Sequence, residues 1–139
     1  MKTILLTGGT GLIGKELGLQ LSKKGYRIVG ISRNIKKAAL QAPYPAQWIE
    51  CDLEKTAPAL NSYDFHGVIH LAGEGIAERS WSASQKEKIL KSRSEGTKNL
   101  VAALSQQKNL EFCIGASAIG IYKPTSGDEV AIESSPMDT

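Results

Sequence analysis

Lys2-Thr3-Ile4-Leu5-Leu6-Thr7 is a short apolar run that reads as a buried strand, residues 2–7. Gly8-Gly9-Thr10-Gly11-Leu12-Ile13-Gly14 follows and turns directly into an amphipathic helix over residues 11–24, with Ile13, Leu17 and Leu21 spaced four apart on one face. Gly25 ends that helix, as glycine often does at a C-terminus. The alternation then repeats. Residues 26–32 predict strand two, and Ile35–Gln41 a helical segment stopped by Pro43 and Pro45. Gln47–Cys51 predicts strand three, and residues 54–62 a loop or a single helical turn. Gly67–Ala72 predicts strand four, Ser82 to Gln106 a long helix capped by Ser80 or Ser82, and Leu110–Gly115 strand five.

Repeated strand–helix–strand units imply an α/β fold, a doubly wound parallel sheet with right-handed crossovers and helices on both faces. A phosphate-type turn after strand one implies the strand order 3-2-1-4-5. From Tyr122 onward the chain becomes polar and turn-rich. The expected organisation is therefore a nucleotide-binding domain over residues 1–122 and a polar loop over 123–139.

Composition changes this picture little. The chain has 139 residues, 41% hydrophobic and 22% charged, with a net charge of +3. That size suits one domain with a sizeable core. No basic run is dense enough to suggest a nucleic-acid footprint. No apolar stretch approaches the roughly 18 residues that span a bilayer. Met1-Lys2 leads straight into a strand rather than a signal peptide, so a cytoplasmic location is expected. Cys51 and Cys113 lack metal-type or redox-type spacing and read as two inert core thiols; no metal site is expected.

The candidate chemistry gathers at the ends of the strands. A helix start presents unpaired N–H groups and partial positive charge, and glycines let a phosphate approach them. Gly8 and Gly9 permit the tight turn, Gly11 admits a pyrophosphate, and Gly14 lets the first helix pack on strand one. An acidic residue about 20 positions later would bind an adenosine ribose and favour NAD. Ser32-Arg33-Asn34 stands there instead. No carboxylate repels a 2′-phosphate, and Arg33 can pair with one, which points to NADP; the plainer alternative is a surface arginine. Asp52 and Leu53 follow strand three, where a carboxylate can accept from an adenine amino group and a leucine can pack on the ring. His70-Leu71-Ala72-Gly73-Glu74 closes strand four, where small residues let backbone lie against a cofactor. His70 reads as a satisfier of local structure and His66 as solvated. In the long helix Ile89, Arg93, Thr97 and Val101 fall on one stripe, with Leu90, Leu100 and Leu104 beside it. Arg93 would thus lie on or beside the buried face, needing a partner or a path to water. Trp81, before this helix, reads as packing. Ser117, just past strand five, sits where parallel sheets bind ligands and could donate to a substrate carbonyl.

Together these pieces resemble the extended short-chain dehydrogenase/reductase superfamily, in its NAD(P)-dependent epimerase/dehydratase group. The matching stretches are Thr7-Gly8-Gly9-Thr10-Gly11-Leu12-Ile13-Gly14, Asp52-Leu53, Val68–Gly73, Gly96-Thr97-Lys98-Asn99-Leu100 and Gly115–Tyr122. The wording resembles an atypical branch of epimerase-like proteins, in which Arg93 stands about where better-known members carry an asparagine. The resemblance implies a Rossmann-type fold and a cofactor set of Thr7, Gly8, Gly9, Thr10, Gly11, Leu12, Ile13, Gly14, Ser32, Arg33, Asp52, Leu53, Leu71, Ala72 and Gly73. It implies Ser117 and Arg93 as the catalytic contributors. It also implies truncation: the family's Tyr-x-x-x-Lys helix, a further strand and a small substrate domain follow the serine strand, whereas Tyr122-Lys123 here is adjacent spacing. The expected function is the NADP-binding domain of an oxidoreductase or epimerase acting on a small alcohol, carbonyl or sugar-like substrate. This chain alone is expected to be inert for want of a general acid/base. A non-catalytic NADP sensor is the alternative, since fold does not fix function; a structural domain with a vestigial turn would bind no nucleotide. An uncovered sheet surface would favour self-association into a homo-oligomer.

Overall fold

The computed structural model describes residues 1–77 and 80–138. Thr3–Thr7 forms β1, Leu12–Lys23 α1, Arg27–Ser32 β2, Ile35–Gln41 α2, Gln47–Glu50 β3, Gly67–His70 β4, Ala83–Leu104 α3 and Phe112–Gly115 β5, with a short 3-10 turn at Ile119–Ile121. All five strands lie in one parallel sheet ordered β3-β2-β1-β4-β5. The strand order is the one the phosphate turn implied, and every element stands where the hydrophobic pattern put it, to within two or three residues.

The central strand explains the run Ile4-Leu5-Leu6. Both faces of β1 are covered, so its consecutive residues are all buried rather than alternating with polar ones. Leu5 packs with Val29, Val68, Leu100, Leu104 and Phe65 on one face. Ile4 and Leu6 pack with Ile28, Ile69 and Tyr44 on the other, against Leu17, Leu19 and Leu21. Outside β1 the sheet uses a glycine covered by an aromatic on each side. Trp48 of β3 lies over Gly30 of β2, and Phe112 of β5 over Gly67 of β4, so a side chain at either glycine would strike the ring.

Four expectations are corrected. Ile13 is 69% exposed, because α1 docks through Gly14 and Gly18, which bring its backbone close, and leaves the Ile13 position outside. The buried stripe of α3 is Ser92, Gly96, Leu100 and Leu104, one residue round from the expected Ile89, Arg93, Thr97 and Val101. Small residues, rather than the aliphatic ones at Ile89 and Val101, decide that docking face. Arg93 and Thr97 are consequently exposed, and Leu90 with them. Cys51 is buried, but Cys113 is exposed, since all four residues of β5 lie uncovered at the sheet's edge. Trp81 is exposed rather than packed; its indole N–H donates to the Ile76 carbonyl at 2.7 Å.

Residues 123–138 double back on themselves. Tyr122 bridges Met137, the Lys123 N–H donates to the Pro136 carbonyl, and the Asp138 N–H donates to the Ile121 carbonyl. Residue 139 lies outside the described residues. Among the described residues no helix is long and apolar enough to cross a membrane, and none group as a metal cluster.

Candidate functional site

The turn after β1 is built by backbone crowding. Gly8 has a positive φ of 70°, and a side chain there would run into the Leu71–Ala72 backbone of the loop after β4, at 2.7 Å from the Leu71 carbonyl carbon. The Gly11 N–H donates to the Gly8 carbonyl at 3.0 Å, closing the turn. A Cβ at Gly14 would overlap that same Gly8 oxygen, so the first turn of α1 lies directly against the loop. The helix starts without a side-chain cap: Gly11 is its N-cap, and no acidic residue occupies its first turn. By contrast, the Asn34 side chain caps α2 by accepting from the Lys37 N–H, and Ser82 caps α3 by accepting from the Gln85 N–H. The first N–H groups of α1 are thus left for an external acceptor.

A cleft of about 300 Å³ opens beside this turn. Of the expected cofactor residues, Gly8, Thr10, Gly11, Ser32, Arg33, Asp52, Leu53, Leu71, Ala72 and Gly73 line it, so four separate strand ends converge. Thr7, Gly9, Leu12, Ile13 and Gly14 do not line it. Thr7, Gly9 and Gly14 are buried behind it, while Leu12 and Ile13 stand exposed at the helix start. Arg33 is exposed and, among the described residues, makes no ion pair, so its guanidinium is available. Asp52 is already engaged, accepting from the Glu54 N–H at 3.2 Å and pairing with Lys55 at 3.2 Å. Glu54 and Glu74 add two carboxylates to the wall.

Neither Ser117 nor Arg93 lines the cleft. Ser117 is exposed just beyond β5, on the sheet edge where β1 and β4 also end. The Arg93 guanidinium donates to the Glu74 and Ile89 carbonyls, and lies so close to Gly73 that a Cβ there would sit 3.2 Å from its Cζ. It therefore braces the loop that forms one wall. Ser92 reaches the cleft where Arg93 does not, and accepts from the Glu74 N–H at 2.9 Å. Sequence reading passed over Ser92 and Glu74 as individual contributors; the one-residue rotation of α3 accounts for the first.

His70 ties three elements together. Its Nδ1 lies 2.6 Å from the Thr7 hydroxyl and its Nε2 3.0 Å from the Thr97 hydroxyl, while the Ala72 N–H donates to Thr7 Oγ1. Both ring nitrogens are satisfied by local structure, as the sequence suggested. His66 is half-buried rather than solvated, its Nδ1 accepting from the Thr3 N–H at 3.3 Å. Burial pushes the His70 imidazole below the ordinary histidine range. In the unfolded chain His70 takes up its proton near pH ~6.5, and in the folded chain only at lower pH. Its contribution is therefore complete above about pH 6.5 and is lost as pH falls from there through the folded value. Urea midpoints measured between about pH 7 and about pH 5 should decline in the wild type and decline less in His70→Asn. Parallel declines would remove His70 as the cause.

Tyr44 was not singled out from the sequence, where it is one aromatic between Pro43 and Pro45 with no spacing to mark it. It is buried on the far side of the glycine turn, and its hydroxyl donates to the Gly9 carbonyl at 2.9 Å.

Comparison with known proteins agrees with this geometry. The model of the NAD dependent epimerase/dehydratase family matches residues 4–139. An epimerase family protein of Staphylococcus haemolyticus is 32% identical over 126 residues, 90% of this chain and 40% of its own. The epimerase family protein YfhF of Bacillus subtilis is 33% identical over 120 residues, 86% of this chain and 38% of its own. The chain thus spans about 40% of the length of these curated relatives. Among solved structures, a human epimerase family protein crystallised with NADPH superposes with a TM-score of 0.74 at 26% identity, over 97% of this chain and 42% of that one. A UDP-glucuronic acid 4-epimerase from Bacillus cereus, crystallised with NAD, superposes with a TM-score of 0.75 at 26% identity, over 98% and 46%. With a matching family model over almost its whole length and the family's parallel sheet, this chain belongs to the NAD dependent epimerase/dehydratase family.

Proposed function

We propose that this chain is the NADP-binding part of an oxidoreductase or epimerase acting on a small alcohol, carbonyl or sugar-like substrate. The observation that carries the reading is Arg33 just past β2, which makes no ion pair among the described residues and stands on the wall of a cleft that also holds the uncapped start of α1. The diphosphate of a dinucleotide suits the turn's free N–H groups, and a 2′-phosphate suits Arg33. Leu53 offers an apolar wall for the adenine. The nicotinamide would supply hydride transfer. Ser117 would polarise the substrate oxygen from beyond β5, and Arg93 would hold the Gly73–Glu74 wall in place through its bond to the Glu74 carbonyl. Residues 1–122 would form the cofactor unit and 123–139 the lead into a C-terminal part; the greater length of the relatives supports this division.

Calorimetric titration with NADPH and NADH tests the cofactor. NADPH should bind tighter, and Arg33→Ala should bring its affinity to the NADH value. The loss should be about tenfold to a hundredfold, the worth of one charge-assisted pair. Equal affinities in the wild type would overturn the NADP assignment.

A further inference from the structure

Resting on the cofactor reading above, we propose that Tyr44 is a positioning residue for the cofactor's diphosphate, fixing the Gly9–Thr10 peptide of the glycine turn through its hydrogen bond to the Gly9 carbonyl. Tyr44 comes from the α2–β3 connection and reaches the turn from behind, at 6% exposure. The side chain is clamped between the turn and α1, since a Cβ at Gly18 would strike its ring and one at Gly9 its hydroxyl oxygen. Burial pushes its hydroxyl up to about 12, so it remains a proton donor throughout the neutral range.

The consequence follows from peptide geometry. The Gly9–Thr10 bond is trans and planar, so its carbonyl and N–H point in opposite directions. Holding the Gly9 carbonyl toward Tyr44 aims the Thr10 N–H away from it. Thr10 lines the cleft and Gly9 does not. Among the described residues the Thr10 N–H has no acceptor in the chain, whereas the neighbouring Gly11 N–H is spent on Gly8. Glycine has no side chain to resist rotation of this peptide, so the hydroxyl supplies the restraint. Removing it would leave a buried carbonyl without its partner and the turn without a fixed orientation. No other aromatic in this chain stands in that relation to the turn among the described residues.

Tyr44→Phe keeps the ring and its packing while deleting the donor. The full chain, wild type and variant, is titrated by calorimetry with NADPH and with adenosine 2′-monophosphate, which keeps the adenine and 2′-phosphate but lacks the diphosphate. The expected result is a loss of about tenfold for NADPH, the worth of one hydrogen bond, with adenosine 2′-monophosphate unchanged. The Thr10 amide resonance, shifted by NADPH in the wild type, should shift less in the variant. Equal losses for both ligands, or no loss for NADPH, would overturn the positioning role. A wild type that binds adenosine 2′-monophosphate with Arg33 dependence but gains nothing from the diphosphate would overturn it while sparing the adenosine side of the site. A wild type that binds neither ligand overturns the cofactor reading, and this proposal with it.

Discussion

Gly14→Ala should abolish measurable NADPH binding and lower the thermal midpoint by about 10 °C, the equivalent of about 3 kcal/mol in a domain of this size. One methyl group has this effect because of what surrounds it. An added Cβ would overlap the Gly8 carbonyl oxygen and sit 2.8 Å from the Gly9 Cα. These are backbone atoms, which cannot swing aside as a flexible side chain would. Relief requires α1 to lift from the turn, and lifting α1 moves the N–H groups offered to a phosphate. Gly11→Ala is the matched control, because its Cβ would meet only the Gly8 oxygen, at 3.3 Å. It should cost less in stability. Scanning calorimetry with and without NADPH separates the two variants, and wild-type behaviour of Gly14→Ala would mean that the turn is looser than its geometry.

Phe65→Ala should cost about 4 kcal/mol, the usual price of emptying a buried aromatic position, yet leave NADPH affinity of the folded chain unchanged. Phe65 is 0% exposed, stacks on Tyr63 with ring centroids 5.5 Å apart, and packs under α3 with Leu100 and Leu104. It sits at the N-terminal end of β4, whereas the cleft is lined from the opposite end of that strand, by Leu71 to Glu74. Its loss is a large fraction of the 5–15 kcal/mol that holds an ordinary domain together. Urea midpoints should therefore fall steeply, and added NADPH should recover part of the loss by mass action. A parallel fall in affinity would show that the core and the cleft are not independent. Set beside Gly14→Ala, this variant separates damage to the fold from damage to the site.

The fold was legible because periodicity is strong where burial is complete. Ile4-Leu5-Leu6 and Val68-Ile69 announce strands covered on both faces, and the glycine turn fixes which strand is central. Helix faces were less legible. Leu17 and Leu21 pack inward as spaced, but α1 also buries Gly14 on the glycine turn and Gly18 on Tyr44, and α3 buries Ser92 and Gly96; counting aliphatic residues cannot find contacts made by small ones. The same physics exposed Ile13 and Arg93. Cys113 was misplaced because an apolar strand at a sheet edge has the same composition as one in the middle.

The cleft was legible in part. Strand-end residues converge by topology, so Gly8, Arg33, Asp52 and Gly73 could be named from position in the alternation alone. Residues that support the cleft from elsewhere left no such mark. Tyr44 approaches through a proline-flanked connection, and Ser92 enters by the rotation of a helix. Both are set by tertiary packing, which spacing along the chain does not encode.

The central place of β1 also has a consequence for the order in which the molecule assembles. β1 pairs with β2 across one short helix, and β2 with β3 across another. The half-sheet β3-β2-β1 thus needs only near-neighbour closures, whereas β4 must return past two strands to reach the other side of β1. Local closures form faster than distant ones, and growing chains fold from their N-terminal side. The wall made by Gly8, Arg33 and Asp52 is therefore expected to form ahead of the Leu71–Gly73 wall. A nascent chain halted between them would carry half a cleft, with the β4 side of β1 open to whatever strand arrives next.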